Sequence, residues 1–560
     1  MTDRPSGPHG EYLHDVAEAT RLSHERAWDV AVGSWHRVTI SNPDNGNHWE
    51  SLARACYEAG CYEQALGAYR KVDGLGVTGA REDIAAPGAV SYRIACCHAC
   101  LGDPSAALSA LADAVRRGYR DLDAAWDDEH LASLRPLPRL ADLLGRPDPD
   151  LTREQRWRFD ADFLVREIER RAPQRAAAQR ELLGESRTKL VESLAGLTDA
   201  QVVVEFMRWV AGLDDGHGSV EVVDEVSALA ASLPVQFQLF DEGVCVTAAH
   251  PDYAALLGAR VLAFGDCPVG RVLNDIDPLV SRDNVYGAPE QAMQVMRRTA
   301  VLHALGIVDA PDGAELELEY PDGTQRRLAV PAVPQAWQRR NEVPAPEGWT
   351  AYHTALAGVP PLYLRDCARP HWFEYLPDND LVYFQFNSVC DGPRESLAAF
   401  LNRLFAFVDA NAVRRLVIDV RWNSGGDLTL VRPLVHGLIM RPGVNRPGGL
   451  FVITGRRTFS AAQHTCSVIE ANTHAVFVGE PTGSRPNFVG ERTPFRLPCS
   501  GLRVNVSDTY WQNGWPQDRR TSIAPELRIV PTIAAYRANR DLALEAVLAC
   551  GDDAFVFADR

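Results

Sequence analysis

The run VIDVRWNSGGD at residues 417–427 decides how the last third of this chain folds. An apolar stretch that reads as a buried strand passes through Arg421 and Asn423 and ends in two glycines, Gly425 and Gly426. Glycine adopts backbone angles that other residues avoid, so this pair can turn the chain sharply and aim N–H groups at an incoming carbonyl. Further on, RTFSAAQ at 457–463 sets Ser460 at the start of an expected helix, and VGEPTG follows at 478–483. Free N–H groups and the dipole at a helix start favour the negative charge of an alkoxide and of the oxyanion it creates. Taken alone, Ser460 reads as an N-cap, the ordinary role of a serine there. Arg421 and Asn423 read as hydrogen-bonding residues that shape the loop after the strand.

Together, Asp-x-Arg-x-Asn-x-Gly-Gly, then Ser-Ala-Ala, then Gly-Glu-x-Thr-Gly resemble the tail-specific (C-terminal processing) serine peptidases. The likeness is to the branch that includes tricorn protease and the interphotoreceptor retinoid-binding proteins. It implies a crotonase-like αβ core with Ser460 as nucleophile and Gly425, Gly426 and the Ala461 N–H as oxyanion-hole candidates. Many tail-specific peptidases use a lysine base, but this chain has only Lys71 and Lys189, and SRPN stands where that lysine would follow GEPTG. Arginine cannot serve, since it does not deprotonate in proteins, so the base is expected to be a histidine.

His217, in GLDDGHGSV at 212–220, matches the Asp-x-His segment of the tricorn-like branch and is assigned the base. Gly216 stands where that branch can carry a serine, so the orienting hydrogen bond must come from elsewhere. A third carboxylate usually fixes the imidazole. Asp518 lies where the branch carries its late acidic residue, with Glu526 and Glu480 as rivals. His464, four residues after Ser460, is the competing base, because helical side chains at that spacing share a face.

The 560 residues are 46% hydrophobic, material for about three or four domains. The net charge of −17 argues against nucleic acid as a partner, since that affinity comes from clustered Lys and Arg. The first residues lack a basic start followed by an apolar stretch, and no uncharged apolar run approaches the ~20 residues of a membrane span. The expectation is a cytoplasmic protein. The twelve cysteines show no framework spacing and read as reduced core residues. No GxxxxGK[ST] or HExxH occurs, and GLGVTG at 74–79 lacks the strand–helix context of a dinucleotide loop. No cofactor or metal is expected.

The chain divides into four parts. Residues 1–147 form an all-α array, because Trp49, Leu52, Ala53, Gly60, Ala65 and Tyr69 recur 42 residues later as Ser91, Ile94, Ala95, Gly102, Ala107 and Leu111. That is a tetratricopeptide-like unit plus an insertion; a degenerate unit precedes it at 28–38, and RPDPD at 146–150 ends it. A helical region carrying His217 spans 148–232. Residues 233–365 read as an α+β, PDZ-like, substrate-groove region, since LLGARVLAFGDCPV is similar to part of a PDZ domain. Residues 366–560 form the αβ serine peptidase core, with LVYFQF, RRLVIDV, GGLFVITG and AVFVGE as its strands. The expected function is hydrolysis of unfolded or tail-like peptides through an acyl-enzyme, with the repeats free to dock a protein partner. The alternative is a non-catalytic ligand- or peptide-binding protein on the same fold.

Overall fold

The computed structural model describes residues 8–76, 88–172, 177–224, 227–337, 342–356 and 358–550. GLGVTG therefore runs beyond the described residues after Gly76. The chain forms two compact units, 1–173 and 174–560. Among the described residues no helix is long and apolar enough to cross a membrane.

Among its described residues the first unit is built of helices and the turns that join them. Helices Pro8–His24 and Trp28–Ser41, Gly46–Glu58 and Tyr62–Gly74, and Ala89–Cys100 and Pro104–Arg116 pack as successive hairpins. Small residues at the repeated positions let the hairpins approach: Ala53, Ala65, Ala95 and Ala107 are all fully buried in one core with Trp35, Tyr69 and Leu111. The unit continues past RPDPD. Helix Arg153–Arg171 opens on a capping box between Thr152 and Gln155. Its Arg166 donates to Asp142 O at 2.8 Å and its Arg170 to Val115 O and Tyr119 O, each at 3.2 Å. Sequence set this helix beyond the boundary at 147; its packing sets it within the first unit.

The second unit holds two larger sheets. In one, Gly243–Ala249, Arg260–Phe264, Gly313–Glu319 and Gln325–Pro331 run antiparallel in that order, with Val235–Phe240 and Thr350–Ala351 also on Gly243–Ala249. The other places His371–Leu376, Leu381–Phe386, Arg415–Asp419, Leu450–Thr454, Val476–Gly479 and Leu527–Arg528 side by side, parallel after the first pair. Its central strands are continuous apolar runs because both faces are covered. Val382, Phe384, Leu416, Ile418 and Val452 meet the helices Leu397–Ala410, Arg432–Ile439 and Ala461–Asn472. On the opposite face Tyr383, Val417, Phe451 and Val478 meet Ala543, Leu544 and Val547 of helix Leu542–Ala549. A third sheet, Ser219–Glu221 against the hairpin Asn487–Arg496/Arg503–Gln512, carries the segment that begins with His217.

Candidate active site

Strand Arg415–Asp419 delivers the Arg421–Gly426 loop at its C-terminal end, and that loop is tied down from several directions. Arg421 spans Asp419 and Asp541, its terminal nitrogens each 2.9 Å from an Asp541 oxygen. Tyr383 donates its hydroxyl to Asp419 at 2.6 Å. Asn423, fully buried, donates to Phe386 O at 2.9 Å and accepts the Gly425 N–H at 2.9 Å. Both residues thus do the loop-shaping work that their polarity suggested.

The same loop fixes the serine turn. Phe459 N–H donates to Asn423 O at 3.2 Å, and Thr458 Oγ1 donates to Val420 O at 3.0 Å. Ser460 follows, immediately before helix Ala461–Asn472, with φ 55° and ψ −124°. A non-glycine residue held there costs on the order of 1–3 kcal/mol, and such strain persists only where the surroundings over-determine it. The hydroxyl makes no cap hydrogen bond to the helix it precedes. It lies instead 3.1 Å from His217 Nε2.

His217 reaches that position through a buried polar cluster. Asp215 accepts the His217 backbone N–H at 2.8 Å, the Ser507 N–H at 2.8 Å and the Ser507 hydroxyl at 3.0 Å. Its Oδ1 stands 3.8 Å from His217 Nδ1. Asp283 accepts the Gly216 N–H at 2.7 Å and the Ser484 hydroxyl. Gln291 donates to Gly216 O at 3.0 Å. The imidazole packs against Phe459 and Phe488, ring centroids 4.5 and 5.7 Å away. Burial, the largest influence, pushes the Asp283 carboxyl up to about 6, and Asp215 nearby adds to it. Gly216 has no room for the serine that the resemblance allows: a methyl group there would sit 2.6 Å from Asp283 Oδ1 and 2.8 Å from the Phe459 ring.

The other sequence candidates fall as follows. Of the three oxyanion-hole candidates, Ala461 directly follows Ser460 as the first residue of the helix, Gly425 packs against both but spends its N–H on Asn423 Oδ1 at 2.9 Å, and Gly426 packs against Val389. Gly426 must be glycine for its packing, since a Cβ would lie 2.1 Å from Val389 O. His464 Nδ1 pairs with Asn513 Oδ1 at 3.0 Å. Asp518 turns its carboxylate to Arg520, which also holds Glu470, and that hydrogen bond keeps it below the usual carboxylate range. Glu480 pairs with Arg456 at 2.7 Å and Glu526 accepts the Phe477 N–H at 2.8 Å. The three acids weighed from sequence therefore have other partners, whereas Asp215 and Asp283 stand beside the histidine. Asp215 was visible in GLDDGHG, two residues from His217; Asp283, in VSRDNVYG, carried no local signal.

No protein-family model matches the chain, and no curated protein does. Solved structures do. Mature CPAF complexed with lactacystin is 13% identical, with 70% of this chain and 97% of that one covered at a TM-score of 0.48. The photosystem II D1 C-terminal processing protease is 16% identical over 72% of this chain and 99% of its own, TM-score 0.35. A putative S41 protease from Bacteroides fragilis is 14% identical over 61% and 88%, TM-score 0.30. Two of these three are described as proteases, one of them a C-terminal processing protease.

Proposed function

We propose that this protein is a serine peptidase that cleaves unfolded or tail-like peptides through an acyl-enzyme on Ser460. One observation carries the reading: a strained serine at a helix start leaves its own helix uncapped and places its hydroxyl 3.1 Å from a buried imidazole. With the ring proton on Nδ1, Nε2 accepts the hydroxyl proton as Oγ attacks the scissile carbonyl carbon. The imidazolium then returns that proton to the leaving amine, and a water activated the same way releases the acyl group. Gly426 and Ala461 are the amides proposed to hold the oxyanion. The antiparallel sheet around Gly243–Ala249 is proposed as PDZ-like scaffolding of the substrate groove, and the helical hairpins of the first unit as a tetratricopeptide-like surface for a protein partner.

The test is hydrolysis of an unstructured fluorogenic peptide by the wild type and by Ser460→Ala. The reading requires turnover in the first and its loss in the second with the fold intact; equal rates contradict it.

A further inference from the structure

Resting on the assignment of Ser460 and His217 just made, we propose that Asp215, and not the late acidic residue Asp518, is the carboxylate that orients His217 and balances the charge its ring takes up. Asp215 is then a positioning residue, acting on the reaction through the imidazole. Three features carry this. Asp215 belongs to the same tight loop as His217 and accepts its backbone N–H at 2.8 Å, so the carboxylate is fixed to the backbone that carries the ring. Its oxygens also receive the Ser507 N–H and hydroxyl, from strand Arg503–Gln512. A carboxylate ringed by three donors in a fully buried site cannot swing away. Finally, Oδ1 lies 3.8 Å from Nδ1, longer than a hydrogen bond and within ion-pair range once the ring is protonated. Catalytic contacts of this kind commonly tighten only when substrate binds.

Asp518 lacks these features. Its carboxylate is bound by the Arg520 guanidinium and by the Arg520 N–H at 3.0 Å, so its field is largely cancelled locally. The described charged groups around the imidazole are few. Asp215 comes from its own loop. Asp283 comes from the turn before helix Ala288–Val295, with the Arg485 Nε donating to the Asp283 backbone oxygen behind it. The hairpin contributes the neutral Ser507 and Phe488, and the serine turn contributes Phe459 and Ser460. Side-chain polar atoms of Asp215, His217 and Asp283 all lie within 4.8 Å of one another.

The experiment compares D215N and D518N in the full chain, with circular dichroism to verify folding and kcat and KM followed from about pH 5 to 9. An anion beside an imidazole favours its protonated form, so its removal moves the acid limb of the profile to lower pH. D215N is expected to lower kcat on the order of 10²-fold or more with KM within about threefold, and to move that limb down by about one unit. D518N is expected to change neither by more than about threefold. A collapse of kcat in folded D518N, or a D215N enzyme with wild-type kcat and limb, overturns the proposal. If D215N fails to fold, D518N decides alone: retained activity upholds the proposal and collapse ends it. If the wild type hydrolyses nothing, the peptidase reading fails separately. The His217 titration, followed by NMR on ¹⁵N-histidine-labelled protein, then decides the pairing: a lower midpoint in D215N alone upholds it, and one in D518N alone refutes it.

Discussion

Gly425 lies so close to Ser460 that a methyl group on its α-carbon would stand 2.7 Å from the serine Cβ and 3.0 Å from the Ala461 nitrogen. Its φ of 114° is also one that side chains rarely adopt. The glycine in the loop after strand Arg415–Asp419 and the serine before helix Ala461–Asn472 are therefore fitted to each other. Gly425→Ala is expected to lower peptidase activity on the order of 10²-fold and to cost about 1–3 kcal/mol of stability, because the backbone around Ser460 must shift. Kinetics and thermal unfolding of the variant check both; wild-type kinetics would show that the contact is incidental.

The two histidines near Ser460 should separate cleanly. His217→Ala is expected to drop activity on the order of 10³-fold or more. His464→Ala is expected to act chiefly on stability, by about 1 kcal/mol, since its ring is spent on Asn513 and burial disfavours its protonated form. A dead His464→Ala beside an active His217→Ala would reverse the assignment.

Asp283 gives a pH signature of unusual sign. Its folded carboxyl sits at about 6 against an ordinary 3.8, so the fold prefers the neutral form. That contribution is fully present below about pH 4 and is lost as pH rises through about 6, the opposite of a salt-bridged carboxylate. Asp283→Asn, which can still pair with Gly216 and Ser484, should therefore gain on the wild type by about 1–2 kcal/mol between pH 5 and 7.5. Unfolding curves at both pH values measure it; a gap that narrows on going to pH 7.5 contradicts the burial argument.

The edge of the first unit is testable by truncation. A chain beginning at residue 151 keeps helix Arg153–Arg171 but removes what covers Phe163 and leaves Arg170 without the Val115 and Tyr119 carbonyls. It is expected to aggregate, whereas a chain beginning at residue 177 stays monodisperse by light scattering. Equal behaviour of the two would place the boundary back at RPDPD.

Much of this was legible in the sequence. Continuous apolar runs marked the core strands, and the Gly425–Gly426 turn and Ser460, which the structure packs together, could be singled out because each depends on local backbone. His217 was legible through a short motif. What stayed hidden was tertiary. Asp283 meets Gly216 from 67 residues away, and no periodicity encodes that meeting. The loss of the Gly425 amide to Asn423 depends on a side-chain rotamer, and the turn of Asp518 toward Arg520 depends on a loop conformation. The helix after RPDPD was assigned across a proline break, although its apolar face and buried Glu167, held by Arg170 and Arg171, needed the repeats' last helices as partners. Proline marked a turn in the chain there, and the compact unit continued through it.

The central claim is that Ser460 is an activated nucleophile, and covalent labelling tests it most directly. The wild type and the Ser460→Ala and His217→Ala variants are incubated with a fluorophosphonate, and adducts are located by intact mass and peptide mapping. One adduct is expected on the wild type, at Ser460, absent in Ser460→Ala and slowed on the order of 10²-fold or more in His217→Ala. A wild-type protein that stays unlabelled at Ser460, or a label that forms as fast without His217, would contradict the claim.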